Sequence, residues 1–226
     1  MRHFLFAALL LGAATPALAA ERDFPSSGFE KVDFGAAGKV EVHSGSRFAV
    51  HASGDPKWLN ELNVRVVQGS LMISWLHQHL NMNGHDPLHI SISMPRVAGV
   101  TLSGAGTVVV DRAEGPDFGA IIRGAGTVDV AALHTDHAQF EMSGAGKISA
   151  AGSAGSVDAH VRGVGAIEIE ALAARAGRLD MSGTGSIKAR IDGPADATMN
   201  GMGSIDVTGN ARCTVHKHGF GSVHCG

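Results

Sequence analysis

The stretch LDMSGTGSIKA spans Leu179–Ala189. Two short runs alternate apolar and polar residues, and Gly183-Thr184-Gly185 stands between them. The same design recurs in VTLSGAGTVVV, AIIRGAGTVDV, FEMSGAGKISA, AHVRGVGAIEI, ATMNGMGSIDV and TVHKHGFGSVHCG. The first glycine of each copy falls at Gly104, Gly124, Gly144, Gly163, Gly183, Gly201 and Gly219, at intervals of 20, 20, 19, 20, 18 and 18 residues. The second falls at Gly106, Gly126, Gly146, Gly165, Gly185, Gly203 and Gly221. A fixed period near twenty marks a stacked-repeat architecture.

Aligning the copies on the first glycine exposes a period of two. Two residues before it stand Leu102, Ile122, Met142, Val161, Met181, Met199 and Lys217, apolar with one exception. Directly before it stand Ser103, Arg123, Ser143, Arg162, Ser182, Asn200 and His218, all polar. Four residues after it stand Val108, Val128, Ile148, Ile167, Ile187, Ile205 and Val223. Such alternation belongs to strands with one buried face. Each copy therefore reads as two short strands meeting at a Gly-x-Gly corner. Glycine suits a corner because it accepts positive φ and lets backbone layers approach closely. One layer cannot bury its own apolar face, but stacked layers can, with strands pairing in parallel about 4.8 Å apart. The reading is all-β: a parallel β-solenoid of about seven layers over 96–226. A phosphate-cradling loop would need G-x-G-x-x-G opening a helix, whereas here strand follows each glycine pair.

Three segments precede the repeats. Residues 1–19 read as a secretory signal peptide: basic Arg2 and His3, an apolar run, then Ala17-Leu18-Ala19 for cleavage. The run is short for a membrane span, and no further long apolar run follows, so no transmembrane segment is expected in the mature chain. Residues 20–95 form a β-rich segment, with 20–226 readable as one continuous domain. KVDFGAAGKVEVHSGSRFAVHAS, VRVVQGSLMISW and LHISISMP read as strands. DPKWLNELN reads as one short helix, with Asp55 as N-cap and Pro56 at the first position. LHQHLNMNGHD reads as a polar loop.

Composition narrows the function. Loss of Arg2 with the signal peptide moves the formal charge from −3 to −4, a weakly acidic balance that argues against nucleic acid as a partner. Glycine is abundant at 31 residues, tyrosine is absent and aromatics are 5%, so the core is built from thin layers of small and β-branched side chains.

The order of an exported N-terminus, a short helix, GSLMISW, LHISISMPRVAGVTLSGAGTV and repeated S-G-x-G-x-[IV] resembles a bacterial family called "putative auto-transporter adhesin, head GIN domain". The resemblance covers roughly residues 29 to 226. It implies an envelope or secreted β-helical protein, and it implies no catalytic residues. The sequence carries no pattern of a translocator barrel, so a complete autotransporter is not expected.

Catalysis on a β-solenoid would need carboxylates clustered on an outward face. Glu141 and Asp180 share one polar column, and Asp129, Glu168 and Asp206 share another. Members of each set recur at alternate layers, about 10 Å apart by strand spacing, not far beyond the about 6.5–9.5 Å of inverting glycosidases. However, His160 intervenes between Glu141 and Asp180, and Lys188 between Glu168 and Asp206. Alternating charge is what a solvated parallel ladder needs. Sugar-binding faces favour exposed aromatic platforms, yet Phe118 and Phe140 fall on inward columns, and Trp58 and Trp75 lie before the repeats.

Histidine, 13 in all, gathers in two places: His77, His79, His85 and His89 in the polar loop region, and His216, His218 and His224 in the last copy. Imidazoles at this density can take zinc, copper or nickel, with the C-terminal set the better metal candidate. Neither spacing matches a zinc-finger or HExxH pattern. The last copy also holds both cysteines. Cys213 lies six residues before its first glycine and Cys225 six after. Both columns read as inward-facing, at the ends of their strands opposite the corner. An oxidising compartment favours pairing, so a Cys213–Cys225 disulfide closing the terminal layer is expected.

The sequence thus points to a non-enzymatic exported envelope protein without a cofactor. It would present a rigid surface for adhesion, scaffolding or binding of a protein or glycan, in the periplasm or on the outer surface of a Gram-negative-type bacterium. A polysaccharide-acting enzyme and a periplasmic metal-binding protein are the alternatives. Open solenoid ends invite self-association, so a homo-oligomer is a further expectation.

Overall fold

The structure is a computed structural model that describes residues 20–77 and 88–226. The signal peptide, His79 and His85 lie outside the described residues. In chain order the N-terminal elements are β1 (Ala20–Asp23), β2 (Lys31–Phe34), β3 (Ala37–Ser44), β4 (Ala49–Gly54), α1 (Pro56–Asn60), β5 (Leu62–Val67), β6 (Ser70–Trp75) and β7 (His89–Met94). The repeats supply β8 (Gly99–Leu102), β9 (Ala105–Val110), β10 (Ala113–Ile122), β11 (Ala125–Met142), β12 (Ala145–Val161) and β13 (Val164–Ala174). They finish with β14 (Gly177–Met181), β15 (Thr184–Ile191), β16 (Pro194–Met199), β17 (Met202–Thr208), β18 (Arg212–Lys217) and β19 (Phe220–Cys225).

The repeats wind a parallel β-solenoid of about six turns, bounded by the seven corners. Register is kept from layer to layer: Val108 pairs with Val128, then Ile148, Ile167, Ile187, Ile205 and Val223. The columns read as inward are buried from Val100 through Val207. At the opposite edge from the corners the ladder shifts register at Val130/Leu133, Ser149/Gly152 and Ile169/Ala173. These bulges let β11 and β12 bend around the column, with Leu133 and Leu172 filling the bend.

The two corner glycines differ in torsion but share a close approach. The second of each pair has φ between +137° and +153°. The first does not lie in that left-handed region. A β-carbon there would overlap the carbonyl oxygen of the layer beneath, as at Gly124 over Gly104. A β-carbon on the second would also overlap a carbonyl oxygen of the neighbouring layer, as at Gly126 over Gly106.

The solenoid extends below the first Gly-x-Gly. β2 pairs in parallel with both β6 and β8, and β3 with both β7 and β9. Gly38 sits in register under Gly106 with φ +142°. In space, therefore, the β2–β3 layer is sandwiched between β6–β7 and β8–β9. Below this, pairing turns antiparallel: β4 on β7, β1 on β4 and β5 on β6. These strands cap one end together with α1, whose Trp58 is buried and tilts against Trp75 at 5.9 Å. Asp55 accepts a hydrogen bond from the Lys57 amide at 2.8 Å, the N-cap expected from sequence.

The other end is uncovered. Val215 is 45% exposed and Phe220 83%. Cys213 packs against the core, Cys225 is exposed, and the two are joined in a disulfide with Cα atoms 6.4 Å apart.

Candidate functional site

On the face built from β2, β8, β10 and the second half of β11, one outward column runs Lys31, Gly99, Gly119, Gln139 in register. The column beside it runs Asp33, Thr101, Ile121, Glu141. Two successive layers thus carry no side chain in this column, with Gly99 buried and Gly119 half-buried, and side chains resume above and below. The result is a notch of about 450 Å3. Gly99, Gly119, Thr101 and Ile121 contribute to its floor. Lys31 lies at the lower end, and His137 and Gln139 at the upper. Arg96, Glu30 and Asp117 form a charged flank.

That flank is tied together. The Arg96 guanidinium donates to the Glu30 carboxylate, and this hydrogen bond and the charge behind it push Arg96 above its ordinary range. Asp33 accepts from the Ser103 hydroxyl. At the far end His137 shares a 3.0 Å hydrogen bond with the Ser156 hydroxyl and stands 3.7 Å from Asp158. The notch therefore mixes fixed donors and acceptors over a partly apolar floor.

The outward carboxylates singled out by sequence are placed as a ladder, not a cluster. His160 lies in register between Glu141 and Asp180, and Lys188 between Glu168 and Asp206. Several are engaged by neighbours. Glu141 accepts from Arg162 at 2.5 Å, Asp206 meets His224 at 3.0 Å, and Asp129 accepts from Ser149 at 2.9 Å. Glu168 pairs with Lys147, whose hydrogen bond holds its carboxyl below the usual range; burial opposes this, and the Lys147 charge adds to it. Glu41 is held down in the same way by Lys39. Depressed carboxyls are poor proton donors near neutrality.

Among the described residues the histidines do not converge. His77 bonds to Glu61 at 2.7 Å, while His89 opens β7 beside Lys39. His216 pairs in register with Thr198, and His224 is taken by Asp206. Among the described residues no three His, Cys, Asp or Glu side chains gather as a metal site.

Sequence reasoning missed the notch. Its signal was present, since Gly99 and Gly119 interrupt a column that is polar elsewhere. That interruption has meaning only once the layers are stacked in register.

The chain belongs to the family described as "Putative auto-transporter adhesin, head GIN domain", whose model matches residues 28–211. The crystal structure of a "putative adhesin" from Bacteroides fragilis is similar, with a TM-score of 0.85 at 23% identity, covering 92% of this chain and 97% of that one. A "putative lipid binding protein" from Parabacteroides distasonis gives 0.70 at 15% identity over 93% of this chain and 97% of that one. A "putative adhesin" from the same organism gives 0.60 at 14% identity over 92% and 95%. These likenesses establish the fold. No curated protein matches the chain. Among the described residues no helix is long and apolar enough to cross a membrane.

Proposed function

We propose that this is a non-enzymatic, exported envelope protein whose rigid β-solenoid presents a binding face for adhesion or scaffolding. The observation that carries the reading is the charge pattern of the outward faces. Carboxylates sit singly in register, alternate with cationic or polar groups, and are held by them, as in Glu141 with Arg162 and Glu168 with Lys147. Such a surface is solvated and persistent, and the notch on it is concave and polar. Family membership supports the same reading by analogy.

The test is direct. Residues 20–226 are displayed against arrays of glycans and matrix proteins and against envelope extracts. Reproducible binding to a defined partner is the expected result, and no partner in any format removes the proposal. In parallel, turnover of a uronic-acid or glycan substrate that disappears on changing one outward Asp or Glu would replace it with an enzyme.

A further inference from the structure

We propose that the notch over Gly99 and Gly119 is a saccharide site that takes a neutral glycan chain. This rests on the binding-protein reading above and gives that reading a ligand class.

Every corner glycine of the column answers to a positive φ or to a close carbonyl. Gly119 answers to neither. Its φ lies outside the left-handed region, and a β-carbon built on it would meet no described atom within 4 Å. Gly99 differs, because its β-carbon would come 2.7 Å from the Gly119 carbonyl oxygen. Glycine inside a strand is destabilising relative to alanine. At Gly119 the fold gets nothing in return except open space on an outward face.

The sheet itself limits what can fill that space. The backbone of the floor is engaged in parallel ladders from β2 through β8 and β10 to β11. A peptide cannot add as a strand here, because strand addition needs a free sheet edge. Recognition must come from side chains.

Glu30, Asp33 and Asp117 accept, Lys31 and Arg96 donate, and Gln139 does both. Their formal charges sum to −1. An anionic ligand would face three carboxylates. An acyl chain would strip water from five charged groups with no hydrogen bonds to replace it. Sugar hydroxyls donate and accept at once, so they satisfy both sets. The C–H face of a pyranose can lie on the flat glycine floor beside Ile121. The volume lies within the about 300–1,000 Å3 of small-ligand sites.

The experiment titrates isotope-labelled 20–226 with neutral tetrasaccharides of glucose, mannose and N-acetylglucosamine. Tetragalacturonate and a short-chain anionic phospholipid are the comparison arms. We expect a neutral tetrasaccharide to move the Gly99 and Gly119 amide signals. Gly119→Gln, which extends the Gln139 column into the notch, should weaken that binding at least about tenfold with an unchanged or higher melting temperature. Gly119→Ala, the gentler variant, should weaken it about two- to threefold and guards against misfolding of the first. Saccharide binding that ignores both variants, or that shifts only other residues, overturns the site. A notch that responds only to phospholipid or tetragalacturonate overturns the neutral-glycan class and leaves the binding-protein reading standing. Silence to every probe also overturns the glycan class. The binding-protein reading then survives only if the arrays and extracts still yield a partner.

Discussion

Gly144 lies so close to the carbonyl oxygen of Gly124 that a β-carbon would overlap it, although φ at Gly144 is outside the left-handed region. Gly183 stands in the same relation to Gly163. The constraint is thus distance between layers rather than torsion. Gly144→Val or Gly183→Val must prise apart two layers and should cost about 3 kcal/mol or more. Ser149→Val on the outward face gives up a single hydrogen bond to Asp129 and should stay within about 1 kcal/mol. Equal melting temperatures for the two classes would refute this account of the corners.

The disulfide closes a short loop in the layer that has no neighbour above it, with 12 residues separating Cys213 and Cys225. By loop entropy it should contribute on the order of 3 kcal/mol. That contribution should be local. Reduction, or Cys213→Ser with Cys225→Ser, is expected to speed amide exchange in β18 and β19 while leaving β11 and β12 unchanged. Uniform acceleration through the column would contradict a purely terminal role. Two freely alkylated thiols in unreduced periplasmic protein would show that the bridge does not form.

Glu168 offers a pH test with a defined sign. Lys147 holds its carboxyl below the ordinary value of 4.5 in the folded chain. A depressed acid stabilises the fold above its unfolded pKa, and that contribution fades as pH falls through the folded value. Lys147→Met should therefore raise the Glu168 titration midpoint, read by carboxyl NMR. Any melting difference between the two proteins should be present at neutral pH and be lost as pH falls through the depressed folded value. Because the pair is largely solvated, added salt should shrink the effect. An unmoved midpoint would dismiss the pairing.

Asp55 caps a helix of only five residues, yet that helix seats Trp58 under the antiparallel end. Asp55→Ala should cost about 1 kcal/mol. It should also shift tryptophan emission to the red before the bulk of the sheet unfolds. A two-state melt with the wild-type midpoint would show that the cap is dispensable.

The seven-corner column was legible because its pattern repeats at nearly constant spacing, so each copy confirms the others. Its lower continuation was not. There Gly35-Ala36-Ala37-Gly38 replaces the usual corner, and Ala36 occupies the position of Gly104, so only Gly38 keeps the pattern. A long stretch carrying β4, α1 and β5 to β7 then separates it from the next copy. β1 was also missed, because Ala-Glu-Arg-Asp has no alternation and becomes a strand only by pairing with β4. The Cys213–Cys225 pairing could be read from columns, since both residues hold fixed offsets from one glycine. The inward direction expected of Cys225 is corrected by its exposure in a layer with nothing above it. The notch could not be read, because an absence of side chains in one column acquires a shape only from its neighbours.

The position of β2 and β3 between β6–β7 and β8–β9 sets the order in which the column can be assembled. Both partner layers of these strands are supplied by segments made later. The β2–β3 layer gains its first partner only with β6 and β7, and its second edge stays free until Leu102 and Val110 have been added. From then on, each new turn has a finished template beneath it. Growth is templated in one direction only, away from the capped end. Shortening the chain from Gly226 removes turns one at a time from a completed stack. Shortening it from Ala20 past Ser44 takes the middle out of the junction and leaves β6–β7 and β8–β9 with nothing to hold them together.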